Sequence, residues 1–176
     1  MSYFNGTSRE PLFIPNTQTG QLTPYYHQIS QLGLEVQATL ESWLLKLELA
    51  HQQGKLIENH LEMVAGLEYS FYGIANTDLD IGIISEYLWD ERSESPNNFQ
   101  NDLLIGLRFA LNDEDSSEAL IGVISDLDGD GEVLTLEASR RINNRLKISA
   151  EAVIWNGEDN PFDKEDYLQF ELGYFF

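Results

Sequence analysis

Apolar residues recur at every second position through most of this 176-residue chain. That is the period of a β-strand, whose successive side chains point to opposite faces, and not the 3.6-residue period of a helix. The first series is Leu32, Leu34, Val36, Ala38 and Leu40, and the second Trp43, Leu45, Leu47 and Leu49. Later ones are Leu61 to Phe71, Leu79 to Trp89, Leu103 to Leu111, Ala119 to Leu127, Leu134 to Ala138, Leu146 to Ile154, and Leu168 to Phe176. From Gln31 onward this predicts about nine strands of about ten residues each, which is the strand content expected of a barrel.

The connections alternate in length. Short ones are expected at 41–42, 73–78, 112–117 and 143–144. Longer polar ones are expected at 51–60, 90–101, 128–132 and 156–165. Residues 1–28 do not alternate. Pro11, Pro15 and Pro24 mark them as loop or extended chain, with one short strand near Leu12–Ile14. The chain therefore divides into an N-terminal segment, 1–28, and an antiparallel β unit, 29–176.

Alternation does not say which face points outward. A soluble barrel carries its apolar residues inside, whereas a membrane barrel turns them toward lipid. Four features favour the second arrangement. The alternation of short turns with longer loops is that of bacterial outer-membrane barrels. The strands match the ~9–11 residues that cross a bilayer at a tilt. Gly33, Gly66, Gly82, Gly106, Gly122 and Gly173 share the charged face. Glycine weakens a solvent-washed strand but makes room for long side chains in a narrow lumen. Trp43, Tyr69, Phe71, Tyr87, Trp89, Tyr174 and Phe176 lie near strand ends on the apolar face, where interfacial aromatic girdles form. The expectation is an antiparallel up-and-down transmembrane β-barrel of about 8–10 strands, as a whole or as the C-terminal part of a larger one.

The charge balance narrows the partners. With 10 Lys and Arg against 30 Asp and Glu, the formal net charge is −20. Such a chain repels phosphate backbones, so no nucleic-acid partner is expected. The absence of Cys excludes disulfides, thiolate metal sites and thiol nucleophiles. The N-terminus reads without a signal peptide.

The last ten residues, Tyr167-Leu168-Gln169-Phe170-Glu171-Leu172-Gly173-Tyr174-Phe175-Phe176, resemble the closing strand of Gram-negative outer-membrane β-barrel proteins. That strand typically ends in an aromatic residue with apolar residues at alternate positions before it. The resemblance implies location in the bacterial outer membrane, contact with the lipid bilayer, and recognition of the strand ending in Phe176 by the barrel-assembly machinery. It also places the C-terminus and the short turns in the periplasm and the acidic loops outside. The missing signal peptide and the odd strand count depart from the family pattern. They suggest the C-terminal portion of a longer barrel.

No catalytic, cofactor or metal site is expected. Residues 126–137, starting Asp126-Leu127-Asp128-Gly129-Asp130-Gly131-Glu132 and ending at Glu137, match the spacing of an EF-hand calcium loop. Strand patterns flank them in place of helices. Asp-Gly-Asp-Gly reads as a hairpin tip, leaving at most weak Ca²⁺ binding. His27, His51 and His60 form no ligand pattern, although His51 and His60 flank one loop. No Gly-x-Ser-x-Gly elbow is present, and no enzyme is expected. The lumen-facing set is Glu35, Glu48, Glu62, Glu68, Glu86, Asp102, Glu118, Glu137, Glu151 and Glu171, with Lys46, Arg108, Arg141, Arg145 and Lys147. It reads either as a cation-favouring pore lining or as a structural network of paired charges. Arg140 is expected outward at a strand end, and Asp113-Glu114-Asp115 as a solvated turn. The functional expectation is an outer-membrane barrel, structural or a narrow channel. The alternative is a soluble or surface β-barrel binding module with acidic loops.

Overall fold

The computed structural model describes residues 1–17, 20–92, 100–157 and 166–176. It is an all-β protein. Nine strands follow one another as an antiparallel meander: β4 (Gln28–Leu40), β5 (Trp43–Gly54), β6 (His60–Phe71), β7 (Asp80–Asp90), β8 (Asn101–Ala110), β9 (Glu118–Asp126), β10 (Glu132–Asn143), β11 (Leu146–Asn156) and β12 (Tyr167–Tyr174). A tenth, β1 (Ser2–Thr7), pairs antiparallel with the start of β4, Ser2 opposite Gly33 and Thr7 opposite Gln28. The strands β2 (Leu12–Pro15) and β3 (Leu22–Tyr25) form a separate hairpin. Thus 1–28, expected as loop or extended chain with one short strand, contains three strands. Among the described residues the main sheet has ten strands, so the odd number read from sequence is corrected to an even one.

The sequence hides β1 because Ser2-Tyr3-Phe4-Asn5-Gly6-Thr7 does not alternate in polarity. Its outward side is Tyr3, then Asn5 and Thr7, which meet equally polar residues of β4. Asn5 Nδ2 donates to Ser30 Oγ at 2.7 Å, and Gln28 Nε2 donates to Thr7 Oγ1 at 2.6 Å. Backbone pairing to a preformed edge holds this strand; an apolar stripe does not.

The expected alternation of loop length is weaker in the structure. The end carrying the two-residue turn Glu41-Ser42 also carries connections of 8 and 7 residues, at 72–79 and 111–117. The opposite end has five-residue turns at 55–59 and 127–131. The long loops expected at 90–101 and 156–165 fall mostly outside the described residues.

Among the described residues there is no apolar core in the usual sense. Among the described residues the only buried hydrophobics are Ile29 and Val133. The buried polar ones include His27, His60, Glu68, Asp90 and Asp102. On β8, Asp102 is 3% exposed, while Ile105 is 49% and Leu107 38% exposed. The same division runs through the sheet: Leu34, Val36, Leu45, Leu67, Ile83, Ile121, Leu136 and Ile148 are all exposed. Apolar side chains in water are unfavourable by roughly 25 cal/mol per Å², so this fold presents to its surroundings the face a soluble domain would hide. The polar face is the more enclosed one along β6–β9, where Glu68, Gly82, Asp102, Gly106 and Gly122 are buried, whereas Glu35, Glu48, Arg108, Glu118, Glu137 and Glu171 on the same face are exposed. Two cavities lie against it, of about 410 and 720 Å³, the first bordered by β8–β12 and the second by β1 and β4–β7.

At the end bearing the Glu41-Ser42 turn, the apolar face carries an aromatic cluster. Tyr69 stands edge-on between Trp43 and Phe71, each 4.7 Å away between ring centres. Strand β12 stops at Tyr174, so Phe176 lies two residues past it and is fully exposed. The ladder is carried one step further by the Phe175 N–H, which donates to Arg145 O at 2.7 Å. Strands β1 and β12 are the two edges of the main sheet, and no ladder joins them among the described residues.

Candidate functional site

The enclosed polar face holds the chain's chemistry, and glycine determines how its charges meet. In one row, Lys46 on β5, Gly66 on β6 and Glu86 on β7 are successive cross-strand partners. The missing side chain of Gly66 leaves room for Glu86, whose Cγ passes 3.1 Å from where a Cβ would sit, and Lys46 Nζ lies 3.6 Å from Glu86 Oε1. One strand further round, the arrangement recurs with the signs exchanged. Glu68 on β6 and Arg108 on β8 pair across Gly82 of β7, where a Cβ would stand 2.8 Å from Glu68 Oε1. The reading that glycines make room for Glu and Arg of neighbouring strands therefore holds at these two positions. A side chain at Gly82 must displace a buried carboxylate from its cation. Gly82→Val is expected to lower the unfolding free energy by about 1–3 kcal/mol, the usual cost of overpacking. Denaturant titration of the refolded protein checks this.

The end bearing the 55–59 and 127–131 turns carries a denser group. Arg92, just beyond β7, sets its guanidinium 2.5 Å from Asp90 Oδ2 and 2.6 Å from Glu62 Oε1. Its Nε also donates to Asp90 Oδ1 at 2.9 Å, giving forked recognition of the carboxylate. The hydrogen bond with Asp90 holds the guanidinium charged even more firmly than usual; burial opposes this, and the fields of Asp90, Glu62 and Glu10 reinforce it. Glu10 belongs to the N-terminal segment, so that segment sits near this end. Arg92 escaped the sequence reading because its loop position carries no alternation to follow. His60, buried next to this group, has Nδ1 2.9 Å from Glu58 O and Nε2 3.4 Å from Glu62 Oε1, the latter without hydrogen-bond geometry.

Other expected residues disperse. His51 and His60 do not meet: His60 is buried on the polar face, while His51 lies on the apolar one beside Leu32 and Leu61 and accepts from Gln53 Nε2 at 2.8 Å. Arg108, Lys147, Glu118, Glu137, Glu151 and Glu171 share the 410 Å³ cavity. Glu35 and Glu48 are direct cross-strand partners beside the larger cavity, whose lining carries no Lys or Arg. Two carboxylates face to face repel each other, whereas the Glu62 and Asp90 carboxylates of the same lining are paired with Arg92. Arg140 lies on the apolar face opposite Ile148 and reaches Asp115 Oδ2 at 2.7 Å, which places its charge with the turn. Asp113 in the same turn accepts from the Ser117 backbone N–H at 2.8 Å and from Ser117 Oγ at 2.7 Å. These bonds hold its carboxyl below the usual range.

The EF-hand-like stretch is a hairpin. Asp126 ends β9, and residues 127–131 form the tip. The Asp126 N–H donates to Gly131 O at 2.9 Å, and Asp126 Oδ1 accepts from the Asp128 N–H at 2.8 Å. Glu137 stands opposite Leu120, far down the ladder from the tip. At the rise of a strand that is about 20 Å from Asp126, beyond any shared ion. Among the described residues no three His, Asp or Glu side chains converge as a metal site. Calorimetry at micromolar protein is expected to show no stoichiometric Ca²⁺ binding by this turn, because its carboxylates supply too few converging oxygens.

Comparison with family models, with curated proteins and with solved structures gave no match to this chain.

Proposed function

We propose that the chain is an integral β-barrel protein of the bacterial outer membrane, acting as a structural barrel or narrow channel without a catalytic centre. The observation that carries this reading is the inverted burial: Glu68, Asp90 and Asp102 are buried, while each long strand exposes apolar residues, among them Leu34, Leu45, Leu67, Ile83, Ile105, Ile121, Leu136, Ile148 and Phe170. Lipid removes the penalty that water imposes on such a face. A hydrogen-bonded sheet is also one of the two ways to satisfy backbone groups inside a bilayer, provided that it closes. The aromatic cluster of Trp43, Tyr69 and Phe71 suits an interfacial girdle. Ten strands leave a narrow lumen, and the paired charges bridging Gly66 and Gly82 occupy part of it, which favours the structural role over free conduction. If the lumen conducts, its excess of carboxylates selects cations.

Fractionation tests the reading. Expressed behind a secretion signal, the chain should enter the outer-membrane fraction, require detergent for extraction, and migrate differently on gels before and after boiling. A monodisperse protein in detergent-free buffer would overturn it.

A further inference from the structure

The two free edges of the main sheet belong to β1 and β12, and their geometry assigns them to each other. Consecutive cross-strand partners trace one row across nine strands: Leu40, Trp43, Tyr69, Ile83, Leu107, Ile121, Leu136, Ala152 and Leu168. All nine lie on the apolar face. The row begins at the last residue of β4 and ends at the second residue of β12, so it climbs from one end of the sheet to the other. Eight steps at ~4.8 Å make a path of about 38 Å. If the row crosses an apolar band ~25 Å tall, the strands tilt by about 40°.

We infer that β1 closes the sheet on β12 in one register, Thr7 opposite Leu168 and Ser2 opposite Gly173. The inference rests on the barrel part of the proposed function. Thr7 is the partner of Gln28, which precedes Leu40 on β4 by twelve residues. Joining Thr7 to Leu168 therefore closes the circuit with a stagger of twelve residues. Ten strands with that stagger tilt by about 40°, from ~3.4 Å per residue and ~4.8 Å per strand. The two routes to the tilt agree, although one uses the band height and the other the closure.

Two further constraints select this register. The stagger must be even, or apolar side chains of β12 would meet the enclosed face of β1. With twelve, Tyr3 lies beside Leu172 and Asn5 beside Phe170 on the outer face, while Ser2 and Gly173 face inward. Strand length then decides among even values. All six residues of β1 fall within Tyr167–Tyr174 at a stagger of twelve. At ten the last partner is Asp166, and at fourteen the first is Phe175, both outside β12. The high exposure of Phe170 at 74% and Leu172 at 67% fits an edge awaiting its neighbour.

Paired cysteines test the register, and the natural chain has no Cys to interfere. Three double variants of the full chain combine Asn5→Cys with Leu168→Cys, Phe170→Cys or Leu172→Cys. They correspond to staggers of ten, twelve and fourteen. Directly opposed residues have Cα atoms about 4.5–5.5 Å apart, within disulfide reach, whereas diagonal ones are about 7–8 Å apart. On oxidation of the assembled protein, the 5–170 pair should form an intramolecular disulfide close to completion and the other two close to none. Tyr3→Cys with Leu172→Cys repeats the test independently at the same stagger, should one variant fail to fold. A preference for 5–168 or 5–172 overturns the register. Cross-linked dimers in place of monomers mean that a second copy covers β12 and overturn closure within the chain. No cross-link at either 5–170 or 3–172, in protein that still shows heat-modifiable migration, also overturns it. Cross-linking at 5–170 in protein that needs no detergent supports the closure while removing the membrane reading, so the two can fail separately.

Discussion

In the full-length parent, deletion of Phe176, or Phe176→Asp, is expected to abolish assembly into the outer membrane. Phe176 lies beyond the last ladder residue and is fully exposed, so it contributes nothing to internal packing. On folded-state contacts alone its removal should be neutral. The expected loss comes from two other roles. One is recognition, because the terminal strand resembles the segment that the barrel-assembly machinery reads. The other is position: Phe176 follows a strand that ends at the same end of the sheet as Trp43 and Phe71, and in the proposed barrel an aromatic ring there suits the membrane interface, where a carboxylate would sit against the apolar band. The measurement is the amount of heat-modifiable protein in the outer-membrane fraction relative to the unaltered chain. A normal level in the deletion variant would show that the closing-strand assignment is wrong, since a dispensable terminal residue is what a soluble sheet predicts.

Leu107→Arg is expected to be the most destabilising single outward substitution on β8. Leu107 is the fifth of nine residues in the row from Leu40 to Leu168, so in the proposed barrel it stands midway up the apolar band. An arginine at the bilayer midplane costs roughly 2–4 kcal/mol in a membrane barrel, and less toward the interfaces. On a solvent-washed face the same change would stay within about 0.5 kcal/mol, because Leu107 is already 38% exposed. Urea unfolding in lipid vesicles measures the difference. An unchanged stability would mean that no lipid touches this face. Arg140 shows where the same face tolerates a cation: it stands near a strand end and reaches Asp115 in the turn.

These expectations draw on information that sits at different depths. The division into two faces was legible at once, because alternation is a local property with a period of two. Leu103, Ile105, Leu107 and Phe109 lie on one face and Asp102, Gly106 and Arg108 on the other, in keeping with their parity. The hairpin at 127–131 was legible for the same reason: strand patterns on both sides outweighed the calcium-loop spacing. Strand β1 was not, since it carries no stripe and exists through its pairing to β4. Arg92 was missed because a loop residue has no parity to extrapolate.

The sequence by itself determined that the chain is built of long antiparallel strands with one apolar and one charged side, because each residue's face follows from its neighbours two positions away. The tertiary structure decided which charges meet. Lys46 reaches Glu86 over Gly66, and Glu68 reaches Arg108 over Gly82, although position 68 lies forty residues from 108. It also decided where the sheet's two edges come to lie. Those outcomes depend on the register of every ladder between them, and a shift in one turn moves all later strands together, so no local pattern encodes them.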